Sequence, residues 1–123
     1  MAIAMTTGYR AQTEGALLCI EAASDWALTC VDQLTAQTSH VLIDYGAADG
    51  GTAVGLWHQV LDRLHANQPD AHLTLIGNDL PSNDNVALAE NLALQIPREP
   101  KPTVLVSARS FYEPSVAPNT VSF

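Results

Sequence analysis

The stretch of sequence that decides the fold of this chain is VLIDYGAADGG, residues 41–51. Its first three residues, 41–43, are a short continuous apolar run, typical of a strand that is buried on both faces of a sheet. The run ends at Asp44, and beyond Gly50-Gly51 the apolar residues recur at helical spacing. A buried strand, a glycine-rich turn and a helix in this order predict the start of a βαβ unit.

The pattern of strand, turn and helix repeats downstream. The helix after the first turn ends at Asn67-Gln68-Pro69, and a second strand is predicted over residues 72–76. Ser82, Asn83 or Asp84 can cap the next helix, and a third strand is predicted over residues 103–106. This alternation predicts an α/β fold, a Rossmann-like parallel sheet with right-handed crossovers and helices on both faces.

Further segments flank this unit. Apolar residues between Gln12 and Leu34 fall on one helical face and predict an N-terminal helical arm, with Ser24-Asp25 as a cap for a second helix. We therefore divide the chain into an arm, residues 1–39, and a Rossmann-like half-domain, residues 40–123. Residues 121–123 resemble the beginning of a fourth strand, so the chain is expected to end within the fold.

Composition limits the classes of partner. The chain is 47% hydrophobic and carries thirteen acidic and five basic side chains, for a formal charge of −8. Such a surface repels nucleic acid and anionic lipid, so we expect neither as a partner. No apolar run is long enough for a membrane span or a secretory leader, which predicts a cytoplasmic protein. No spacing of Cys and His is typical of a metal site.

The first turn has the chemistry of a ligand-binding loop. Gly46 and Gly50 allow backbone to approach a ligand without interference from a Cβ atom. The pattern Gly46-x-Ala48-x-x-Gly51 can be fitted to a dinucleotide fingerprint, but a pyrophosphate would face Asp44 and Asp49. The ammonium and sulfonium groups of S-adenosylmethionine suit these carboxylates better. A capped turn that binds no ligand is the third interpretation.

The turns after the second and third strands add candidate contacts, because ligands bind at the carboxyl ends of strands in open α/β sheets. Asp79 can accept hydrogen bonds from both hydroxyls of a ribose, and Leu80 can cover an adenine face. Asp79 lies too early to cap the following helix. Ser110 and Phe111 offer a hydroxyl and an aromatic ring, although Phe111 can equally be an ordinary core residue.

Four segments together resemble a known family. Residues 78–85, NDLPSNDN, resemble the N-D-L-x-x-N-D-F-N motif of the SABATH family, the salicylate, jasmonate and benzoate carboxyl methyltransferases and caffeine synthases. Residues 44–50, DYGAADG, are similar to the family's D-L-G-x-x-x-G turn, and residues 110–112 to its S-F-Y. Residues 9–13, YRAQT, match its Y-A-x-N-S more weakly. The motifs follow family order across nearly the whole chain.

The resemblance implies the first half of a class I methyltransferase fold with S-adenosylmethionine as cofactor. Tyr9 and Thr13 would contact the methionine end of the cofactor, and Ser110 and Phe111 would complete the adenine pocket. With Asp44 and Gly50 from the first turn, the predicted cofactor-binding residues are Tyr9, Thr13, Asp44, Gly46, Ala47, Gly50, Thr52, Asp79, Leu80, Ser110 and Phe111.

The sequence also departs from the family. The glutamine that reads the acceptor carboxylate falls on Ala16, and the family's cysteine and asparagine in the glycine turn fall on Ala47 and Thr52. The family's acceptor signature of serines, histidine and tryptophan would follow Phe123 and does not occur in this sequence. The residues that bind the acceptor therefore stay unidentified.

The function predicted is transfer of a methyl group from S-adenosylmethionine to a carboxylate oxygen, or a ring nitrogen, of a small molecule. No general base is nominated, because a carboxylate acceptor is ionised near neutral pH. The family's homodimer is a further expectation. Two alternatives remain: a truncated cofactor-binding or interaction domain that catalyses nothing, and an NAD-type dinucleotide-binding domain.

Overall fold

The computed structural model describes residues 14–94, 101–110 and 112–123. Helices and strands alternate in the predicted order, which confirms the α/β class of the fold. The elements, in chain order, are α1 Glu14–Asp32, β1 Ser39–Tyr45, α2 Val54–Asn67, β2 His72–Asp79, α3 Asn85–Leu94 and β3 Thr103–Ala108.

The three strands form an open parallel sheet in the order β1-β2-β3. In this register Leu42 lies beside Leu75, and Leu75 lies beside Val104. These three side chains share one face of the sheet, because alternate residues of a strand point to the same side. They form the floor of the hydrophobic core.

All three described helices cover this same face, whereas the sequence led us to expect helices on both. The strands advance across the sheet in one direction, and right-handed crossovers then place successive helices on one side. Accordingly, residues from α1, α2, α3 and the sheet pack in a single cluster. Its buried members are Val31, Leu42, Trp57, Val60, Leu61, Leu64, Ala71, Leu73, Leu75, Leu88 and Leu92.

The strands are longer than the apolar runs predicted. β2 continues to Asp79, because Gly77 pairs with Asp44 of β1 and with Val106 of β3. Gly77 also lets α3 approach the sheet: a Cβ atom at this position would lie 2.9 Å from Leu92 Cδ1. The residues assigned from sequence to the second turn therefore begin inside a strand, and that strand carries Asp79 to the edge of the sheet.

Helix α1 is continuous through Ser24, so the predicted cap of a second helix at this position is wrong. The Ser24 hydroxyl instead donates a hydrogen bond to the carbonyl of Ile20, one turn earlier. The end of α1 packs on α2, where Val31 is only 1% exposed. Arg63 of α2 also pairs with Asp32 at 2.6 Å. Both side chains are solvent-accessible, so this ion pair contributes at most about 1 kcal/mol.

Gln68, just after α2, fastens the linker between α1 and β1. Its Oε1 accepts hydrogen bonds from the Gln37 backbone amide at 3.0 Å and from His40 Nε2 at 2.7 Å. Its Nε2 donates to the carbonyl of Leu34 at 3.2 Å. One side chain thereby satisfies three groups of the linker and the start of β1. The division into an arm of residues 1–39 and a half-domain stays a prediction.

The last residues of the chain run beside β1, on the edge that β2 does not occupy. The amide of Ser122 donates to the carbonyl of Val41 at 2.7 Å, and the amide of Ile43 donates to the carbonyl of Phe123 at 3.0 Å. The predicted fourth strand thus lies where a strand would pair, although the segment lacks a regular ladder. β1 is consequently flanked on both sides.

Candidate functional site

The carboxyl ends of the three strands bring the predicted site residues to one edge of the sheet. β1 ends at Tyr45, β2 at Asp79 and β3 at Ala108, and the strands are parallel and adjacent. Tyr9, Thr13 and Phe111 lie outside the described residues. The remaining predicted cofactor-binding residues all follow, or end, one of these strands.

The first turn has an unusual backbone that glycine makes accessible. Gly46 has φ +74° and Gly50 has φ +79°, both in the left-handed region. A Cβ atom at Gly46 would meet nothing within 4 Å, so the backbone there borders open space. Ala48 also has a positive φ, of 52°, which costs a residue with a Cβ roughly 1–2 kcal/mol. The turn must therefore be held by its neighbours.

Hydrogen bonds from β2, from the segment before α3 and from α3 itself hold the turn in this conformation. The amides of Gly46 and Ala47 both donate to the carbonyl of Asn78, at 2.9 and 3.1 Å. Asn83 Nδ2 donates to the carbonyl of Ala48 at 2.8 Å, and Asn91 Nδ2 to the carbonyl of Asp49 at 2.6 Å. The loop is thus preorganised by contacts from three other segments.

Asp79 closes the turn from the end of β2. Its Oδ2 accepts a hydrogen bond from the amide of Ala48 at 2.8 Å, and its Oδ1 accepts one from its neighbour Leu80 at 2.7 Å. A carboxylate offers about four lone-pair positions, so each oxygen retains capacity for another donor. Asp79 and Leu80 are both partly buried. The carboxylate is therefore fixed in orientation and still able to accept hydrogen bonds.

Asp44 is the second carboxylate at this edge. Its Oδ2 accepts a hydrogen bond of 3.0 Å from Trp57 Nε1 of α2. Burial raises the pKa of Asp44 above its usual 3.8, the bond from Trp57 counteracts this rise, and the nearby charge of Asp79 adds to it. Because the charge of Asp79 also acts on Asp44, this edge of the sheet favours a positively charged ligand.

Asn78 joins all three strand ends, a role that the sequence did not indicate. It is only 2% exposed, and its Nδ2 donates to the carbonyl of Arg109 just beyond β3, at 3.2 Å. Its Oδ1 accepts from the hydroxyl of Ser115 at 3.1 Å. The sequence offered one signal for this role, which is the position of Asn78 beside Asp79. Buried amide side chains almost always find hydrogen-bond partners.

The other predicted residues lie around this centre. Thr52 is partly buried in the segment that leads into α2, and Ser110 is partly buried just past β3. The Ser110 hydroxyl accepts a hydrogen bond from the amide of Tyr112 at 3.3 Å. These positions border the same edge, and their contact with a ligand remains a prediction.

The polar residues before α3 have different structural roles. Asp84 caps the helix, since its Oδ1 accepts from the amide of Ala87 at 3.1 Å, as the sequence predicted for one of three residues. Asn83, another of them, is 7% exposed and instead holds the first turn. Its Oδ1 is buried and has no partner among the described residues. Trp57 belongs to the apolar residues at helical spacing after Gly50-Gly51, and the sequence did not predict its bond to Asp44, although a buried indole N–H usually requires an acceptor.

Other parts of the described chain are weaker candidates for a functional site. An open cleft at the opposite edge of the sheet is lined by residues such as Asp32, Arg63 and Gln68, which already bind one another or the linker. Within residues 14–94, 101–110 and 112–123, no three His, Cys, Asp or Glu side chains are grouped so as to hold a metal ion. None of the described helices is long and apolar enough to cross a membrane.

Comparison with known proteins agrees with this geometry at the level of the fold. No protein-family model matches the chain, and no curated protein matches it in sequence. Among solved structures, the chain is similar to a loganic acid methyltransferase with S-adenosylhomocysteine, at a TM-score of 0.71 and 14% identity. The match covers 86% of this chain and 32% of that protein. The chain therefore has the Rossmann-like fold found in part of a methyltransferase.

Proposed function

We propose that this chain binds S-adenosylmethionine and forms the cofactor-binding part of a methyltransferase. The observation that carries the proposal is the position of Asp44 and Asp79 at the carboxyl ends of two paired strands, beside the open backbone of Gly46. The solved methyltransferase of similar fold, which holds S-adenosylhomocysteine, supports it. The match of residues 78–85 to the SABATH motif supports it independently.

The residues present fit the charge and shape of this cofactor. S-adenosylmethionine carries an ammonium and a sulfonium group, and both are attracted by the carboxylate of Asp44. The space beside Gly46, which a Cβ atom would fill, allows a ligand to approach the backbone. A pyrophosphate would be repelled by the same carboxylates, so the site favours the methyl donor over NAD.

Asp79 is the residue that would hold the ribose. Its orientation is fixed by the amides of Ala48 and Leu80, and both of its oxygens retain lone pairs. Hydrogen bonds from two vicinal hydroxyls to an ionised carboxylate are stronger than bonds between neutral groups. Leu80, beside it, would cover one face of the adenine, with Ser110 near the other end of the pocket.

For the reaction we propose methyl transfer to the carboxylate oxygen, or a ring nitrogen, of a small organic molecule. The bound cofactor would supply an electrophilic methyl group. A carboxylate acceptor is ionised near neutral pH, so the chain needs to orient the reactants and exclude water and needs no general base. The family resemblance supports a carboxylic acid as acceptor. The proposal includes neither nucleic acid nor a membrane as a partner. It further includes a cytoplasmic location and allows a homodimer.

Because the chain spans 32% of the solved methyltransferase, catalysis is a separate question from cofactor binding. A domain that binds the cofactor without transferring a methyl group has the same site at the strand ends. Assay of methyl transfer from labelled S-adenosylmethionine to a panel of carboxylic acids and nitrogen heterocycles distinguishes the two. Label in a methyl ester or an N-methyl product supports the enzyme, and binding without label transfer supports the alternative.

Cofactor binding is tested by calorimetric titration of the chain with S-adenosylhomocysteine and, separately, with NAD. We expect S-adenosylhomocysteine to bind and Asp79→Asn to weaken it, because charged hydrogen bonds to the ribose are lost. The loss of roughly 1.5 to 3 kcal/mol corresponds to about 10- to 150-fold in affinity. The matched control is Asp70→Asn, an exposed aspartate that precedes β2, while Asp79 ends it.

The control separates the site from general electrostatics. Asp70→Asn removes the same charge at the opposite edge of the sheet and should leave the affinity unchanged. Equal weakening by both substitutions would attribute the effect to net charge and contradict the assignment of Asp79. Binding of NAD in place of S-adenosylhomocysteine would establish the dinucleotide alternative.

A further inference from the structure

Trp57 is held rigidly at the back of the site. It is 5% exposed, and its ring meets the ring of Phe123 edge to face, with centroids 6.4 Å apart and planes at 87°. Phe123 is in turn bonded to the backbone of β1 at Ile43, next to Asp44. The indole is therefore fixed by packing in the position from which Nε1 reaches Asp44.

The hydrogen bond from Trp57 leaves one oxygen of Asp44 available. Nε1 donates to Oδ2 at 3.0 Å, and Oδ1 has no hydrogen-bond partner among the residues that the structure describes. A planar carboxylate held at one oxygen by a rigid donor presents its other oxygen in a fixed direction. Such fixation lowers the cost of ordering when a ligand binds.

The two carboxylates suit different groups of the ligand. Asp79 is fixed by two backbone amides and was assigned above to the ribose. Asp44 is near enough to feel the charge of Asp79, but its donor comes from a side chain of α2. An ionised, partly buried carboxylate beside a second one favours a cation, and the ammonium group at the amino-acid end of the cofactor is such a cation.

We propose that Trp57 is a positioning residue, which orients Asp44 toward that ammonium group and thereby makes the site selective for ligands that carry an amino-acid end. The inference rests on the proposed function. It goes beyond it by assigning selectivity to a side chain on α2 that has no counterpart among the family motifs quoted above.

The test compares two ligands that differ in this group. S-adenosylhomocysteine carries the amino-acid end, and 5′-methylthioadenosine has the same adenosine without it. Trp57→Phe keeps an aromatic ring against Phe123 and removes the N–H donor. We expect it to weaken S-adenosylhomocysteine about 10-fold, which corresponds to 1.4 kcal/mol, and to leave 5′-methylthioadenosine unchanged. Trp26→Phe, the same change at a tryptophan 74% exposed on α1, should alter neither affinity.

Each outcome decides the matter. Equal weakening of both ligands, or of neither, would overturn the role of Trp57, while binding by the wild type would still uphold the cofactor site. If the wild-type chain binds neither ligand, the proposed function fails and this inference fails with it.

Should Trp57→Phe not fold, the unmodified chain supplies a second measurement. It contains two tryptophans, so its indole N–H region has two resonances, which Trp26→Phe assigns. The Trp57 resonance should move when S-adenosylhomocysteine binds and stay in place with 5′-methylthioadenosine. Equal movement with both ligands, or movement with neither, would contradict the proposal.

Discussion

At the scale of single residues, Asp44 combines an energetic cost with the binding role proposed above. Burial, and then the neighbouring Asp79, raise its pKa above 3.8 in the folded chain, against the bond from Trp57. A folded state that holds a proton more tightly than the unfolded state is favoured at low pH. The contribution of Asp44 to stability is therefore fully present below the unfolded pKa and is lost as the pH rises through the folded one.

We expect Asp44→Asn to raise the melting temperature of the ligand-free chain by a few degrees at about pH 7. The amide has the same shape and its oxygen can still accept from Trp57, while the buried charge is gone. At about pH 4 the gain should shrink, and S-adenosylhomocysteine should bind more weakly at either pH. Thermal unfolding followed by circular dichroism measures the effect, with Asp70→Asn as control. A lower melting temperature at pH 7 would contradict the assignment.

At the scale of elements, the close approach of α3 to β2 depends on a missing side chain. A Cβ atom at Gly77 would lie 2.9 Å from Leu92 Cδ1 and 3.0 Å from Leu88 Cδ1, and both leucines are fully buried. Gly77→Ala should lower the free energy of unfolding by about 1 to 3 kcal/mol, as overpacking of a core does. Urea unfolding measures this change.

The matched control for this substitution lies on α2. A Cβ atom at Gly55 would meet nothing within 4 Å, and alanine favours a helix over glycine by about 0.5 to 1 kcal/mol. Gly55→Ala should therefore leave the chain as stable as before or make it more stable. A Gly77→Ala chain as stable as Gly55→Ala would show that α3 packs less closely on the sheet than described.

At the scale of the whole molecule, α1 shares its core with the sheet, because Val31 belongs to the same buried cluster as Leu42 and Leu75. We expect α1 and the sheet to unfold together. The indole resonances of Trp26 on α1 and of Trp57 on α2 should lose their native intensity at the same urea concentration. Earlier loss at Trp26 would show that residues 1–39 form a separate unit.

A pair of substitutions checks this coupling. Val31→Ala should shift both midpoints downward by the same amount, because the cavity lies between α1 and the rest of the core. Buried truncations of this kind cost about 1 to 3 kcal/mol. Leu18→Ala, on a side chain 64% exposed on α1, should leave both midpoints in place. A shift at Trp26 alone would separate the helix from the sheet.

The sequence by itself determined the alternation of strands and helices and the edge where the candidate site lies. Apolar runs and helical spacing are local properties, and a carboxylate that ends a parallel strand, such as Asp79, must lie at the sheet's carboxyl edge. Tertiary structure decided which hydrogen-bond partners those polar groups have. Trp57 reaches Asp44, Asn83 holds Ala48, and all described helices cover one face. These contacts depend on strand register and helix packing, which join residues far apart in the chain.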